Sequence, residues 1–365
     1  MNPDRRRLLP LPLAGLLAAC TPAGARVKAP EGSLLRLAED SGVPALGGVV
    51  VGREGVIHLE VAGVRRAGSP DPVTAGDAWH LGSNTKAMTA VLFARAVEAG
   101  LTDWDARLSD LFPGVKMDPA WPDVRIETVM QHRAGLSDKG LIDTGWLIGA
   151  RSDERSLPVQ RSDLVARALA RPPGAKPGAF EYGNLNYILA GAALERLYGQ
   201  PWEAVIGGKL FQPLGLSTAG FGPPPGAQPQ GHRKLGPLPP SPVVLDNPAA
   251  MAPAGGVHMA LADYARFLRL FLREGDGLLK PDTMRRLTTP PPGGDYALGW
   301  TVTEGRAWAQ GPVLGHEGSN TLWHAVAQAA PGRGLAFATV SNLLSQDKDP
   351  APIQLLRRLR RQYAP

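Results

Sequence analysis

The sequence predicts an α+β fold: an antiparallel sheet formed from both chain ends and flanked by helices, with a mostly helical segment inserted between them. Three observations carry this expectation. β-rich runs occur near both ends, helical periodicity fills the middle, and stretches rich in Gly and Pro punctuate the chain. Of the 365 residues, 44% are hydrophobic and 20% charged, which supplies a full core and argues against global disorder.

The N-terminus reads as an export signal over 1–19. Arg5-Arg6-Arg7 precedes an apolar run, Leu8 to Ala19, that is too short to anchor in a bilayer. Leu17-Ala18-Ala19-Cys20 resembles a bacterial lipobox, whose Cys is acylated and becomes the new N-terminus. Ala23-Gly24-Ala25 offers ordinary cleavage as the alternative, and Arg5-Arg6-Arg7-Leu8-Leu9 also resembles a twin-arginine signal. The expectation is an exported, periplasmic or cell-envelope protein, lipid-anchored through Cys20, with residues 20–30 as a tether.

The sheet domain is expected at 31–82 and 293–365. Residues 31–41 have helical spacing, and Ala45–Gly52 and Val56–Val64 form a hairpin through Arg53-Glu54-Gly55. The inserted domain, 83–292, begins with a helix over 84–99 that Gly100 stops. Further helices are expected at 126–133, 162–170, 185–198, 202–210 and 261–273. After Pro290-Pro291-Pro292-Gly293-Gly294 the pattern returns to strands, at Tyr296–Thr303, Thr321–Ala329 and Leu335–Ser341. A basic amphipathic helix over 351–361 closes the chain, its charged face read as solvated.

Composition excludes several classes. The single Cys rules out a disulfide scaffold, an iron–sulfur cluster and a Cys-based zinc site. A net charge of +6 without a basic stripe gives no reason to expect nucleic acid as a partner. His132, His232, His258, His316 and His324 lack His-Glu-x-x-His spacing, so a metallohydrolase is disfavoured. No serine has the Gly-x-Ser-x-Gly surroundings of an α/β-hydrolase.

Three elements carry candidate chemistry. Ser83-Asn84-Thr85-Lys86 opens the strong helix. There Ser83 meets free backbone N–H groups and the helix dipole, and Lys86 lies one turn on, on the same face. A desolvated lysine can take the serine proton; the bland reading makes Ser83 a helix cap. A second Ser-x-x-Lys, Ser345 to Lys348, has no apolar helix behind it and is set aside. Tyr182-Gly183-Asn184 enters the helix at 185–198, where a phenol can exchange protons and an amide can hold a carbonyl or the lysine. Gly315-His316-Glu317-Gly318-Ser319 precedes a strand and could offer a backbone N–H and an imidazole. Alone it reads equally as a surface turn.

In this order the three elements resemble the penicillin-recognising serine hydrolases: class C β-lactamases, D-Ala-D-Ala carboxypeptidases and related esterases and D-aminopeptidases. The resemblance extends to Ala99-Gly100-Leu101-Thr102-Asp103-Trp104-Asp105, Gln131-His132-Arg133-Ala134-Gly135-Leu136, Phe211-Gln212-Pro213-Leu214-Gly215-Leu216, Pro253-Ala254-Gly255-Gly256-Val257 and Leu298-Gly299-Trp300. It covers roughly 31–345. It implies a β-lactamase/transpeptidase-like fold and an acyl-enzyme on Ser83. Lys86 and Tyr182 would share base and acid work, with Asn184, His316 and Gly318 lining the cleft. The N–H groups of Ser83 and Ser319 would form the oxyanion hole. No metal or cofactor is implied.

The third element departs from the β-lactamase pattern: His316-Glu317-Gly318 stands where Lys-Thr-Gly would. A neutral imidazole replaces a fixed cation, and a carboxylate pointing into the cleft would repel anionic substrates. Strand alternation can turn it outward. The expected substrate is an ester, small amide or peptide. A β-lactam or D-Ala-D-Ala peptide is the alternative, and a non-catalytic, lipid-tethered binding protein on the same fold is the other.

Overall fold

A central strand with no polar face dictates a layered molecule. In the computed structural model, which describes residues 29–236, 238–243 and 245–365, Ala45–Gly52 (β1) is buried along its whole length. The expected signal at 1–19, the Cys20 acylation site and the tether as far as residue 28 lie outside the described residues. β1 pairs with Gly55–Gly63 (β2) through a two-residue turn, with Gly52 opposite Gly55. Its other edge pairs with Leu335–Ser341 (β11), placing Leu46 opposite Ser341. Both chain ends therefore share one sheet, as the sequence predicts.

The remaining strands are Ala78–His80 (β3), Gly220–Phe221 (β4), His232–Arg233 (β5), Ser241–Pro242 (β6), Val257–Ala260 (β7), Thr301–Thr303 (β8), Val313–Ser319 (β9) and His324–Ala330 (β10). The main sheet has six strands in the order β2-β1-β11-β10-β9-β8, antiparallel throughout. A three-stranded sheet, β3-β7-β4, contains at its edge the strand that leads into Ser83.

Helices cover both faces of the main sheet. Helix Ala351–Tyr363 packs Leu355 and Leu359 against Gly48, where a Cβ would lie 2.9 Å from each side chain. Helix Leu34–Asp40 joins the same apolar layer through Leu34 and Ala38. Each leucine buried there contributes about 1.5–3 kcal/mol. On the other face, helix Leu261–Leu272 brings Leu261 against Gly47. It lies within the stretch assigned from sequence to the insertion, yet it packs on the sheet. Beyond it come helix Thr85–Glu98 and the helical body that includes Leu157–Leu169 and Asn184–Tyr198.

Several boundaries differ from expectation, each for a local reason. The helix at 126 stops at Met130, because His132 takes a left-handed φ of 60°. The helix from Trp202 ends at Ile206, and the chain widens into a π-turn over Gly207–Phe211 at a Gly-Gly pair. The strand expected from Tyr296 begins only at Thr301. The strand expected from Thr321 begins at His324, because the Asn320 side chain caps the N–H groups of Leu322 and Trp323 in a turn. The segment read as preceding that strand is itself a strand, β9.

Candidate active site

Ser83 sits in a single 3-10 turn, Gly82–Asn84, that runs directly into helix Thr85–Glu98. Side chains on every side hold the turn. Asn84 is fully buried. It donates to the carbonyls of Leu81 (3.0 Å) and Ala325 (3.3 Å) and accepts from the Tyr264 hydroxyl (2.9 Å). Thr85 Oγ1 donates to the Gly82 carbonyl at 2.8 Å and accepts from Val257 N–H at 3.2 Å. Gly82 N–H donates to His80 Nδ1 at 3.1 Å, so the other ring nitrogen donates to Asp246 at 3.1 Å. This bracing fixes the serine before any substrate arrives.

β9 presses on the same turn. Gly82 has φ +52°, and a Cβ there would lie 2.2 Å from Ser319 N. A Cβ on Gly318 would lie 2.0 Å from the Leu81 carbonyl oxygen and 2.7 Å from Ser83 N. Only glycine fits on either side of this contact. The contact places the backbone of Ser319 beside that of Ser83. Gly299, at φ +85°, also lies tight on Ala87, where a Cβ would come within 2.5 Å, so the Leu298-Gly299-Trp300 stretch braces the first turn of helix Thr85–Glu98.

Lys86 is fully buried. Its Nζ lies 3.0 Å from Ser83 Oγ, 2.9 Å from Asn184 Oδ1 and 2.8 Å from the Ala254 carbonyl oxygen. Burial lowers its pKa to about 7, and the carboxylate of Asp138 opposes that shift. Two of the three partners can only accept. A neutral amine would donate to both and take the serine O–H into its lone pair, leaving nothing unsatisfied.

Tyr182 lies across the lysine, its ring centroid 4.8 Å from Nζ. Burial pushes the phenol up to about 12, and the nearby Ser83 hydroxyl opposes that shift. Its outer edge stays 42% exposed, and that contact with water moderates the shift. His132 holds the Tyr182 segment: its carbonyl accepts from Glu181 N–H at 2.8 Å, its Nδ1 from Gly183 N–H at 3.4 Å, and its ring lies 4.6 Å from the tyrosine ring.

His316 completes the far wall, 6.2 Å from the Tyr182 ring. Nδ1–H donates to the Glu317 carbonyl at 2.7 Å, which leaves Nε2 to accept from the Tyr296 hydroxyl at 3.2 Å. Burial, with Lys86 nearby, lowers its pKa to about 4, so the ring is neutral at pH 7. Glu317 turns to the other side of the strand, where it meets His324 at 3.3 Å and stays largely exposed. Of the alternatives left by the sequence, strand alternation wins, and no carboxylate from β9 enters the cleft.

The structure thus brings Ser83, Lys86, Tyr182, Asn184, His316, Gly318 and Ser319 together. Sequence reasoning missed Asn84, His80, Asp138, Ala254, Tyr264 and Tyr296 as supports. Asn84 and Ala254 lie inside matched stretches and Asp138 close to one, but Ala325 and Tyr264 for Asn84, Lys86 for Ala254 and Asn184 for Asp138 are far away in the chain. The discarded Ser345 instead bonds its hydroxyl to Asp347.

A model of the family described as Beta-lactamase matches residues 34–361. The chain belongs to the Beta-lactamase family. It is a serine hydrolase of the β-lactamase/transpeptidase-like fold. It is 28% identical over 321 residues to "Penicillin-binding protein 4" of Amycolatopsis lactamdurans, a match covering 79% of this chain and 78% of that one. It is 26% identical over 179 residues to "Esterase EstB" of Burkholderia gladioli, with 47% of this chain and 46% of the esterase covered. Among solved structures, the octameric penicillin-binding protein homologue from Pyrococcus abyssi shares the fold, with a TM-score of 0.73 at 21% identity. That match covers 89% of this chain and 75% of the homologue.

Proposed function

We propose that this hydrolase cleaves neutral esters or small amides and peptides through an acyl-enzyme on Ser83. The observation that carries the reading is the Lys86 amine within 3.0 Å of the Ser83 hydroxyl, with acceptor-only partners at its other two contacts. Lys86 takes the Ser83 proton as Oγ bonds to the substrate carbonyl carbon. The resulting oxyanion is held by the N–H groups of Ser83 and Ser319. When the tetrahedral adduct collapses, the carbon–oxygen or carbon–nitrogen bond to the leaving group breaks. Tyr182, protonated at neutral pH, donates to that group and regains a proton from Lys86. Water then attacks the acyl-enzyme by the same route in reverse roles, releasing the acid and free Ser83.

The preference for neutral substrates rests on charge. His316 is neutral and Glu317 faces away, so β9 offers no fixed cation to a substrate carboxylate. The relative named as an esterase supports the ester half of this reading. Turnover of p-nitrophenyl butyrate is expected to exceed that of a chromogenic cephalosporin at pH 7.5. Ser83→Ala should abolish both turnover and labelling by a fluorophosphonate. Faster cephalosporin hydrolysis would overturn the substrate preference, and near wild-type turnover by Ser83→Ala would overturn the mechanism.

A further inference from the structure

Helix Asn184–Tyr198 begins at Gly183, a residue with no side chain to cap it. The cap comes from elsewhere. Asp138 Oδ2 accepts from Asn184 N–H at 2.9 Å, and Oδ1 accepts from Leu185 N–H at 2.8 Å. Oδ2 also accepts from the Asn184 side-chain amide, Nδ2, at 3.1 Å. The middle position of Tyr182-Gly183-Asn184 must be small for this reason, since a Cβ on Gly183 would lie 2.9 Å from Asp138 Oδ1.

This bond decides which way the Asn184 amide points. A carboxylate accepts and never donates, so Nδ2 faces Asp138 and Oδ1 faces Lys86. We infer that Asp138 is a positioning residue: it locks the Asn184 carbonyl oxygen onto Lys86 and sets, through that single amide, both the lysine's placement and the charge opposite it. This rests on Lys86 acting as the base.

The other groups around Lys86 do not duplicate the role. Ser83 lies on its own turn, and the Ala254 carbonyl comes from the 252–255 segment. Tyr182 and Tyr187 present ring faces, with both phenols pushed up by burial. His132 and His316 are both pushed down by burial, so neither is a cation at neutral pH. Asp138 supplies the opposing negative charge. Replacing it by Asn removes that charge and sets one new N–H group against a row of donors. Either Asn184 turns its amide over or Leu185 N–H loses its partner.

The test is the pH dependence of kcat/KM for p-nitrophenyl butyrate, with folding followed by circular dichroism. The wild-type chain should lose activity as pH falls through about 7. A wild-type profile without that limb would overturn the Lys86 mechanism itself. In Asp138→Asn the limb should move about one pH unit lower, the order expected for one charge removed across one amide. Plateau kcat should fall about tenfold from misplacement of the amine. Asp138→Glu keeps the charge, so its limb should stay within about 0.3 unit of wild type while kcat falls less. It carries the test if the Asn variant does not fold. An Asn limb that is unmoved or moves upward, or a Glu limb displaced as far as that of Asn, would overturn the inference while leaving the Lys86 mechanism standing.

Discussion

Replacing Gly318 by Ala tests whether the contact between β9 and the serine turn builds the oxyanion site. The added Cβ would lie 2.0 Å from the Leu81 carbonyl oxygen, 2.7 Å from Ser83 N and 2.7 Å from Asn84 Nδ2. An ordinary carbon–oxygen contact is about 3.3 Å, so strand and turn must part by about 1.3 Å. The turn cannot yield easily, because Asn84 pins it to Leu81, Ala325 and Tyr264. Ser319 on the strand must then withdraw, and its N–H leaves the donor distance of about 2.7–3.1 Å that an oxyanion requires. Losing one such donor costs about 100-fold or more in kcat, or about 2.7 kcal/mol in barrier. KM should change little, because the ground-state carbonyl is held less tightly than the oxyanion. Steady-state kinetics on p-nitrophenyl butyrate, with fluorophosphonate titration to count competent serines and a melt to confirm folding, read this directly. A folded Gly318→Ala enzyme with kcat within about threefold of wild type would refute the reasoning.

Two further outcomes follow from buried charges. Base catalysis needs the neutral Lys86 amine, and its pKa is lowered to about 7. Activity should therefore rise with pH through about 7; a kcat/KM flat from pH 5 to 8 would contradict this. Arg161 is fully buried, pairs with Glu195 and Glu203, and donates to the Ala250 carbonyl at 3.0 Å. Arg161→Leu strands two carboxylates and should cost about 3–5 kcal/mol, read as a lowered urea midpoint. A midpoint unchanged within error would show the pair to be dispensable.

What the sequence showed were the features that one stretch of chain can encode. Ser83 and Lys86 share one helical turn, so their contact follows from pitch alone. Leu335–Ser341 is a mostly apolar run broken only by Thr339 before it ends at Ser341, and its bounds match the observed strand. The misses have a different origin. Val313–Ser319 carries two glycines, an imidazole and a carboxylate, so neither apolar content nor alternation reveals it. Gly318 answers to a neighbouring turn more than two hundred residues away. Tyr296 has strand composition but sits in a loop, where its hydroxyl serves His316. Asp138 looks like an ordinary loop aspartate until the helix it caps, 46 residues later, is placed beside it. Local propensity is indifferent to all three, because each is fixed by tertiary contact.

The pairing of Leu46 with Ser341 also governs when activity can first appear. Synthesis must run from residue 45 to beyond residue 335 before the β1–β2 hairpin meets its neighbour. Loop closure over that span is entropically slow, and nothing local compensates. The hairpin waits with an unpaired edge, open to premature association. A nascent chain halted before residue 335 would carry Ser83 and Lys86 intact and still lack the floor that turns them into an enzyme.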